Sequence, residues 1–428
     1  DWSSDVCSSD LPHLPFHQAL EPRSVRNFLQ NLLPEGQGLE DITSNSTISK
    51  NNTFGLIRII GEETSGALSF RSPGQQLKPT SFRPVSHDEL ADKLKIHRSV
   101  GSSITYWDGR TRLSVAGVQD KLNFFEHDGQ LGFGDGKLCS NKIFKFESGK
   151  VPFIATNELF TMILAHHAGI DVPNVEIRSY EDVRAFIIER FDRRYLSDRN
   201  EVQRRHVIDG CQATNLPPSY KYERQYGDEG DGKFIRDGVS FLKLFAVKTS
   251  NDEVYRLKLL QWMTFNILTR NYDAHGKNIS FFVSKRGLEL TPFYDLVNIG
   301  AIITEIQQRQ NDQGILDDRN HSISQHYAMS IGGFETGSAG YFQNPITAYM
   351  LADFASQFGI SLPRIQLVMQ QITKAVLSSI EISRQEAYAF NLTTEEVAHI
   401  ELCIRIIQQA ADELLCEIAQ IPDMLGLV

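Results

Sequence analysis

Apolar residues along this chain follow a helical period, then a strand period, then a helical one again. Near the start, Val25, Phe28, Leu29 and Leu32 share one helical face, predicting a helix over Ser24–Leu33 with Ser24 as N-cap and Pro34 as its stop. Gly66–Phe70 reads as a short strand, Ser72 to Pro84 as a loop and His87–Leu94 as a short helix. From Ile104 to Phe191 apolar residues alternate. Strands are expected at Arg112–Val115, Lys121–Glu126, Lys142–Phe146, Val175–Ser179 and Arg184–Phe191, with Asp128-Gly129 and Asp135-Gly136 as turns. One amphipathic helix, Thr156–Ala168, interrupts them and stops at Gly169 and Pro173. Beyond Asp192 the pattern predicts helices at 236–248, 252–270, 345–358, 362–382 and 393–420. Between these lie a loop at 271–280, a hairpin (Ser280–Ser284, Gly287–Thr291), a strand ending at Asp295 and a long variable stretch from Ile302 to Gln325.

This order predicts an α+β fold with two lobes. The units expected are an N-terminal subdomain over 11–103, a β-rich lobe over 104–191 and a mainly helical lobe over 192–428. Residues 1–10 are polar and Ser-rich with neither structural period, and are read as non-native sequence. The composition, 41% hydrophobic and 22% charged, is that of a globular chain and excludes wholesale disorder. A net charge of −10 argues against a protein that coats nucleic acid. Five scattered cysteines without a CxxC pair fit reduced thiols, and Cys211 reads as a buried structural one. No apolar run approaches the roughly 18 residues of a membrane span, and no signal peptide is recognisable, so a cytoplasmic location away from membranes is expected. His166 and His167 are adjacent, point to different sides of a helix, and exclude a metal-hydrolase reading.

The most informative segment is Asn271-Tyr-Asp-Ala-His-Gly-Lys-Asn-Ile-Ser280. Asp273 and Asn278 stand five positions apart with His275 and Lys277 between them. Such a loop can set a carboxylate against an attacking hydroxyl, a carboxamide oxygen on a divalent metal, and cations near phosphate. Asp295, after the hairpin, stands where a kinase places its second metal-binding Asp. Three further segments are weaker alone. In Leu113-Ser-Val-Ala-Gly-Val-Gln-Asp-Lys121, small residues at Ser114, Ala116 and Gly117 allow backbone N–H groups near an anion, and Lys121 adds charge. A tight turn is the plain alternative. In Asn141-Lys-Ile-Phe-Lys-Phe146, Lys145 lies on the face opposite Phe144 and Phe146, with Glu158 as a possible ion-pair partner. The strand Phe186–Phe191 running into Asp192 reads either as a nucleotide-binding hinge or as a strand end with structural salt bridges among Arg190, Arg193 and Arg194.

Together these segments resemble the HipA family, the serine/threonine-kinase toxins of bacterial toxin–antitoxin pairs. The matching stretches are Ser114–Lys121 (with Val118 and Gln119), Ile143–Phe146, Glu189–Arg194, Asp209-Gly-Cys-Gln212, Lys221-Tyr-Glu223, Asp273–Asn278 and Leu290–Asp295. Asn31-Leu-Leu-Pro34 and Gly66-Ala-Leu68 resemble the family's N-terminal subdomain. The resemblance implies a two-lobed, HipA-like kinase fold and ATP and Mg²⁺ as cofactors. It implies Asp273 as catalytic base and Asn278 and Asp295 as metal ligands. Ser114, Ala116, Gly117, Val118, Gln119 and Lys121 would form the phosphate loop, and Lys145 would contact the phosphates. Glu189, Arg190 and Phe191 would line the adenine pocket and Asp192 would meet ribose. His275 replaces the Lys of ordinary protein kinases, and either it or Lys277 meets the γ-phosphate. Ser114 matches a self-phosphorylated serine whose modification disables the kinase. The implied partners are a protein substrate, with aminoacyl-tRNA synthetases as the class, and a HipB-like DNA-binding antitoxin, with DNA reached only through it. The family's first strands have no counterpart before Leu11, so an incomplete N-terminal subdomain is expected. Two other readings share these motifs: a small-molecule kinase of related fold, and a non-catalytic corepressor that binds the antitoxin.

Overall fold

In a computed structural model the described residues are 21–44, 46–61, 63–76, 78–112, 121–147, 149, 151–227, 231–312, 324–332, 337–339 and 342–428. They fall into two compact units. The first comprises Asp1–Ser148, Pro173–Pro218 and Ser280–Thr291; the second comprises Gly149–Val172, Ser219–Ile279 and Pro292–Val428. The expected boundary at residue 191 is therefore not where the units part. The hairpin after the motif loop belongs with the strands, and the helix Ile154–His167 belongs with the other helices.

The first unit is built on a six-stranded sheet, ordered Ser81–Pro84, Gln130–Asp135, Lys121–His127, Lys142–Phe146, Val183–Glu189, Val175–Tyr180, with antiparallel neighbours throughout. Alternation assigns Leu122, Phe124, Phe144, Phe146, Ala185 and Ile187 to one buried cluster with Leu90, Ala91 and Leu94 of the helix His87–Val100. Phe124 stacks on Phe133 at 5.0 Å and meets Phe144 edge-on at 4.9 Å. Each such buried ring stabilises the sheet by roughly 1.5–3 kcal/mol. The helix starts where Ser86 accepts the Glu89 N–H and ends at Gly101 with φ +69°.

Three short helices, Pro22–Asn31, Gly36–Ser44 and Thr53–Ile60, precede the sheet. Asn27 and Asn31 are buried and donate to the Asn215 and Leu216 carbonyls. Gln212 donates to the Phe28 carbonyl and completes a capping box with Asp209. The Asp209–Gln212 stretch thus has a structural role, and Cys211 is fully buried, as expected. Asp209 also begins the pairing of Val207–Asp209 with the hairpin strand Ser280–Ser284, whose partner is Gly287–Leu290.

The second unit packs the helices Ile154–His167, Asp252–Leu268, Leu362–Tyr388 and Thr394–Gln420 against one another. Asn157 lies in the middle of this packing. Its carboxamide accepts the Asn298 N–H at 2.7 Å and donates to the Asn298 carbonyl and to His399 Nε2, each at 3.0 Å. His399 in turn meets Glu305 through Nδ1 at 3.2 Å. Burial lowers the His399 pKa, against the pull of Glu305 in the other direction. Among the described residues no helix is long and apolar enough to cross a membrane.

Several expectations are corrected. The first helix begins at Pro22, after Glu21, so Pro22 and not Ser24 opens it. Residues 66–70 form bends and coil rather than a strand. Ser81–Pro84, expected in a loop, is a sheet strand; it lies at the edge, where Pro is tolerated. The helix expected at 236–248 contracts to Phe241–Phe245, because Gly238 passes against the Tyr222 carbonyl. Ile299–Asp312, in the variable stretch, is a helix seated on Tyr272 through Ile299, Ile302 and Ile303. Asp295 ends no strand: residues 291–298 are irregular.

Candidate active site

The catalytic-type loop follows the helix Asp252–Leu268 directly. Arg270 takes a left-handed conformation (φ +46°) that turns the chain out of the helix. Asn271 is fully buried and donates to Asn266 Oδ1 at 2.8 Å, and at 3.4 Å reaches the Asp295 carbonyl. The Asp273 carbonyl accepts from the His275 N–H at 2.8 Å and from Asn278 Nδ2 at 3.0 Å. These bonds close the loop around a single 3₁₀ turn, Gly276–Asn278. A Cβ at Gly276 would stand 2.6 Å from Val239, so the tight course of the loop needs glycine there. The Tyr294 hydroxyl donates to the Lys277 carbonyl at 2.7 Å and ties the loop to the segment carrying Asp295.

The second unit therefore gathers Asp273, His275, Lys277, Asn278 and Asp295 around one loop. His275, Lys277 and Asn278 are buried, whereas Asp273 is exposed. Asp273 Oδ1 accepts from the Tyr222 hydroxyl at 2.6 Å. Among the described residues its Oδ2 has no hydrogen-bond partner, and neither has Asn278 Oδ1. Asp295 has φ +54°, a strained conformation for a non-glycine residue of the kind concentrated at functional sites. Among the described residues no three His, Cys, Asp or Glu side chains gather as a metal site. The donors expected here, one carboxamide oxygen and one carboxylate, are of a different type: Mg²⁺ is commonly held by one or two protein oxygens plus phosphates and water. The open Asn278 Oδ1 and the strained Asp295 fit that donor set.

The first unit holds the other expected residues. Lys121 and Lys145 are direct cross-strand partners, both buried, on the sheet face opposite Phe144 and Phe146. Lys145 Nζ also lies 5.8 Å from the Phe186 ring. Glu158 is buried in a helix of the second unit. Ser114, Ala116, Gly117, Val118 and Gln119 lie outside the described residues.

The segment Glu189–Asp192 departs from expectation. The Glu189 and Arg190 N–H groups donate to the Asn174 and Asn141 carbonyls at 3.0 and 2.9 Å, so these two donors are not open to adenine. The Glu189 carboxylate accepts from Asn174 Nδ2. Asp192 is buried: Arg190 contacts both its oxygens, while Arg193 and the Gly66 N–H reach Oδ2 at 2.6 and 3.0 Å. Burial alone would raise its pKa, but the two guanidiniums hold it well below the usual carboxylate range. The Asp192 carboxylate is thus engaged within the fold rather than open to ribose, and the backbone N–H groups of Glu189 and Arg190, expected to face adenine, are engaged by the Asn174 and Asn141 carbonyls. Phe191 is half-buried and meets Phe282 edge-on at 5.8 Å. The reading of structural salt bridges at Arg190 and Arg193 is the one observed.

Tyr222 and Tyr294 were given no role from sequence. Tyr222 lies in the quoted Lys221-Tyr-Glu223 stretch, so its signal was present, but the contact with Asp273 joins positions 51 residues apart.

The family model described as the HipA-like C-terminal domain matches residues 113–380, and the HipA N-terminal domain matches residues 6–71. The chain belongs to the HipA family and is a serine/threonine kinase of α+β, kinase-like fold. It is 37% identical over 414 residues to the serine/threonine-protein kinase toxin HipA of Shewanella oneidensis, covering 94% of this chain and 89% of that one. The putative kinase Y4mE of Sinorhizobium fredii is 30% identical over 375 residues, covering 84% and 78% of the two chains. A solved Shewanella oneidensis complex of HipA, HipB and operator DNA matches with a TM-score of 0.81 at 34% identity, covering 96% of this chain and 90% of that one.

Proposed function

We propose that this kinase is the toxin of a toxin–antitoxin pair and transfers the γ-phosphoryl group of Mg²⁺-bound ATP to a serine or threonine hydroxyl of a protein. The observation that carries this reading is the state of Asp273. It is exposed, one oxygen is held by Tyr222, and the other has no hydrogen-bond partner among the described residues and so is available to a hydroxyl. Asp273 Oδ2 orients the acceptor hydroxyl and takes its proton as the new O–P bond forms and the bond from the γ-phosphorus to the bridging oxygen breaks, releasing ADP. Asn278 Oδ1 and the Asp295 carboxylate would hold Mg²⁺, which would neutralise charge on the phosphate oxygens when bound. Lys145 and Lys121 supply positive charge to the nucleotide phosphates, Phe191 lines the adenine pocket, and His275 or Lys277 meets the γ-phosphate.

Ser114 is the self-phosphorylation site. A phosphoserine carries about −1.5 to −2 charge and repels nucleotide phosphates from the same loop. The antitoxin is a HipB-like protein that carries the contact with DNA, a reading supported by the HipA–HipB–DNA complex of the Shewanella relative. The substrate class is a cytoplasmic protein such as an aminoacyl-tRNA synthetase.

The test is incubation of the purified chain with Mg²⁺ and γ-radiolabelled ATP, with phosphosites mapped by mass spectrometry. Label on Ser114 is expected for the wild type and none for Asp273→Asn, which still binds ATP. An Asp273→Asn variant that labels at the wild-type rate removes Asp273 as the base. Label recovered only on a metabolite turns the reading to a small-molecule kinase.

A further inference from the structure

Tyr222 belongs to a tripeptide fixed at every residue to elements around the catalytic loop. The Lys221 carbonyl accepts the Gly276 N–H at 2.9 Å. The Tyr222 hydroxyl donates to Asp273 Oδ1 at 2.6 Å, the short length of a charge-assisted O–H···O⁻ bond. Its ring meets the His275 ring edge-on, with centroids 5.1 Å apart and planes at 80°. Glu223 is buried; its N–H donates to the Ala328 carbonyl at 3.0 Å, and its carboxylate accepts from the Ser330 N–H and from Arg236 Nε. Gly238 passes so close that a Cβ would fall 1.7 Å from the Tyr222 carbonyl. The backbone beneath Tyr222 is thus held from both sides, and its side chain reaches the one carboxylate in the loop with an open oxygen.

We propose that Tyr222 is a positioning residue for phosphoryl transfer: it binds Oδ1 of Asp273 and so presents Oδ2 to the acceptor hydroxyl. This rests on the assignment of Asp273 as the base. A freely rotating carboxylate offers its oxygens in many directions. One fixed by a rigid hydroxyl offers a single lone-pair direction, and a small misplacement of such a group costs rate. The same hydrogen bond keeps Asp273 oriented without enclosing it, since Tyr222 is itself 37% exposed.

The test uses the full chain carrying Tyr222→Phe, and separately Tyr222→Leu, in single-turnover self-phosphorylation with ATP and Mg²⁺. Tyr222→Phe is expected to lower the rate at saturating ATP roughly ten- to a hundredfold, the worth of a hydrogen bond to a charged group. The ATP concentration at half-saturation and the melting temperature stay at wild-type values. Tyr222→Leu is expected to match Tyr222→Phe, because the hydroxyl and not the ring carries the effect. A wild-type rate in Tyr222→Phe while Asp273→Asn is inactive overturns the inference and leaves Asp273 as the base. A loss matched by weaker ATP affinity or a lower melting temperature overturns it in favour of a structural role. A fully active Asp273→Asn removes the base assignment and this inference together.

Discussion

Asp192 and Asp273 both sit in stretches that resemble family motifs, and both were candidates for contact with the nucleotide or its acceptor. The structure treats them oppositely. Asp192 is 4% exposed and held by two guanidiniums and a backbone N–H. Asp273 is exposed, with one oxygen held by a tyrosine and the other without a partner among the described residues. A buried carboxylate with every acceptor committed stabilises a fold; one with a fixed and an open oxygen can handle a proton. The difference lies in unspent hydrogen-bonding capacity rather than in residue type.

Replacing each residue breaks or sharpens that contrast. Asp273→Asn is expected to lower phosphoryl transfer by roughly 10²- to 10⁴-fold, the usual worth of a general base, with an unchanged urea midpoint. Asp192→Asn should do the reverse. Removing one partner of a buried ion cluster costs about 3–5 kcal/mol, read as a lower urea midpoint, while the folded fraction keeps its half-saturation for ATP. If Asp192 met ribose, the midpoint would hold and ATP affinity would fall. Acid provides a finer comparison. The folded-state pKa of Asp192 lies below its unfolded value, so its carboxylate contributes stability that is present above the ordinary carboxylate range and is lost as pH falls through and below it. The wild-type urea midpoint should fall more steeply between pH 5 and pH 3 than that of Asp192→Asn. The smallest effect is expected from Gly276→Ala. The added methyl meets Val239 and shifts the loop, costing about 1–3 kcal/mol in overpacking, with a lower transfer rate that a Val239→Ala second change partly restores.

Parts of the molecule were legible because they depend on neighbours in the chain. The strand Lys142–Phe146 appears with the expected bounds, and Lys145 lies opposite its flanking phenylalanines as strict alternation requires. The helices Thr394–Gln420 and Asp252–Leu268 end within two residues of expectation, their caps being local signals. The helix Ile299–Asp312 was missed although Ile299, Ile302, Ile303 and Ile306 keep helical spacing, because its second half is polar. The edge strand Ser81–Pro84 was missed because its register is set by Gly132–Asp135, far along the chain.

By itself the sequence determined the identity and order of the candidate catalytic groups: Asp273, His275, Lys277 and Asn278 lie on one short loop, where spacing alone keeps them together. Only the tertiary structure decided what each carboxylate could do. Gly66 lies 126 positions from Asp192 and Tyr222 lies 51 from Asp273, and no local pattern reports such partners. Burial and hydrogen bonding set a carboxylate's chemistry, and both are properties of the folded neighbourhood rather than of the motif.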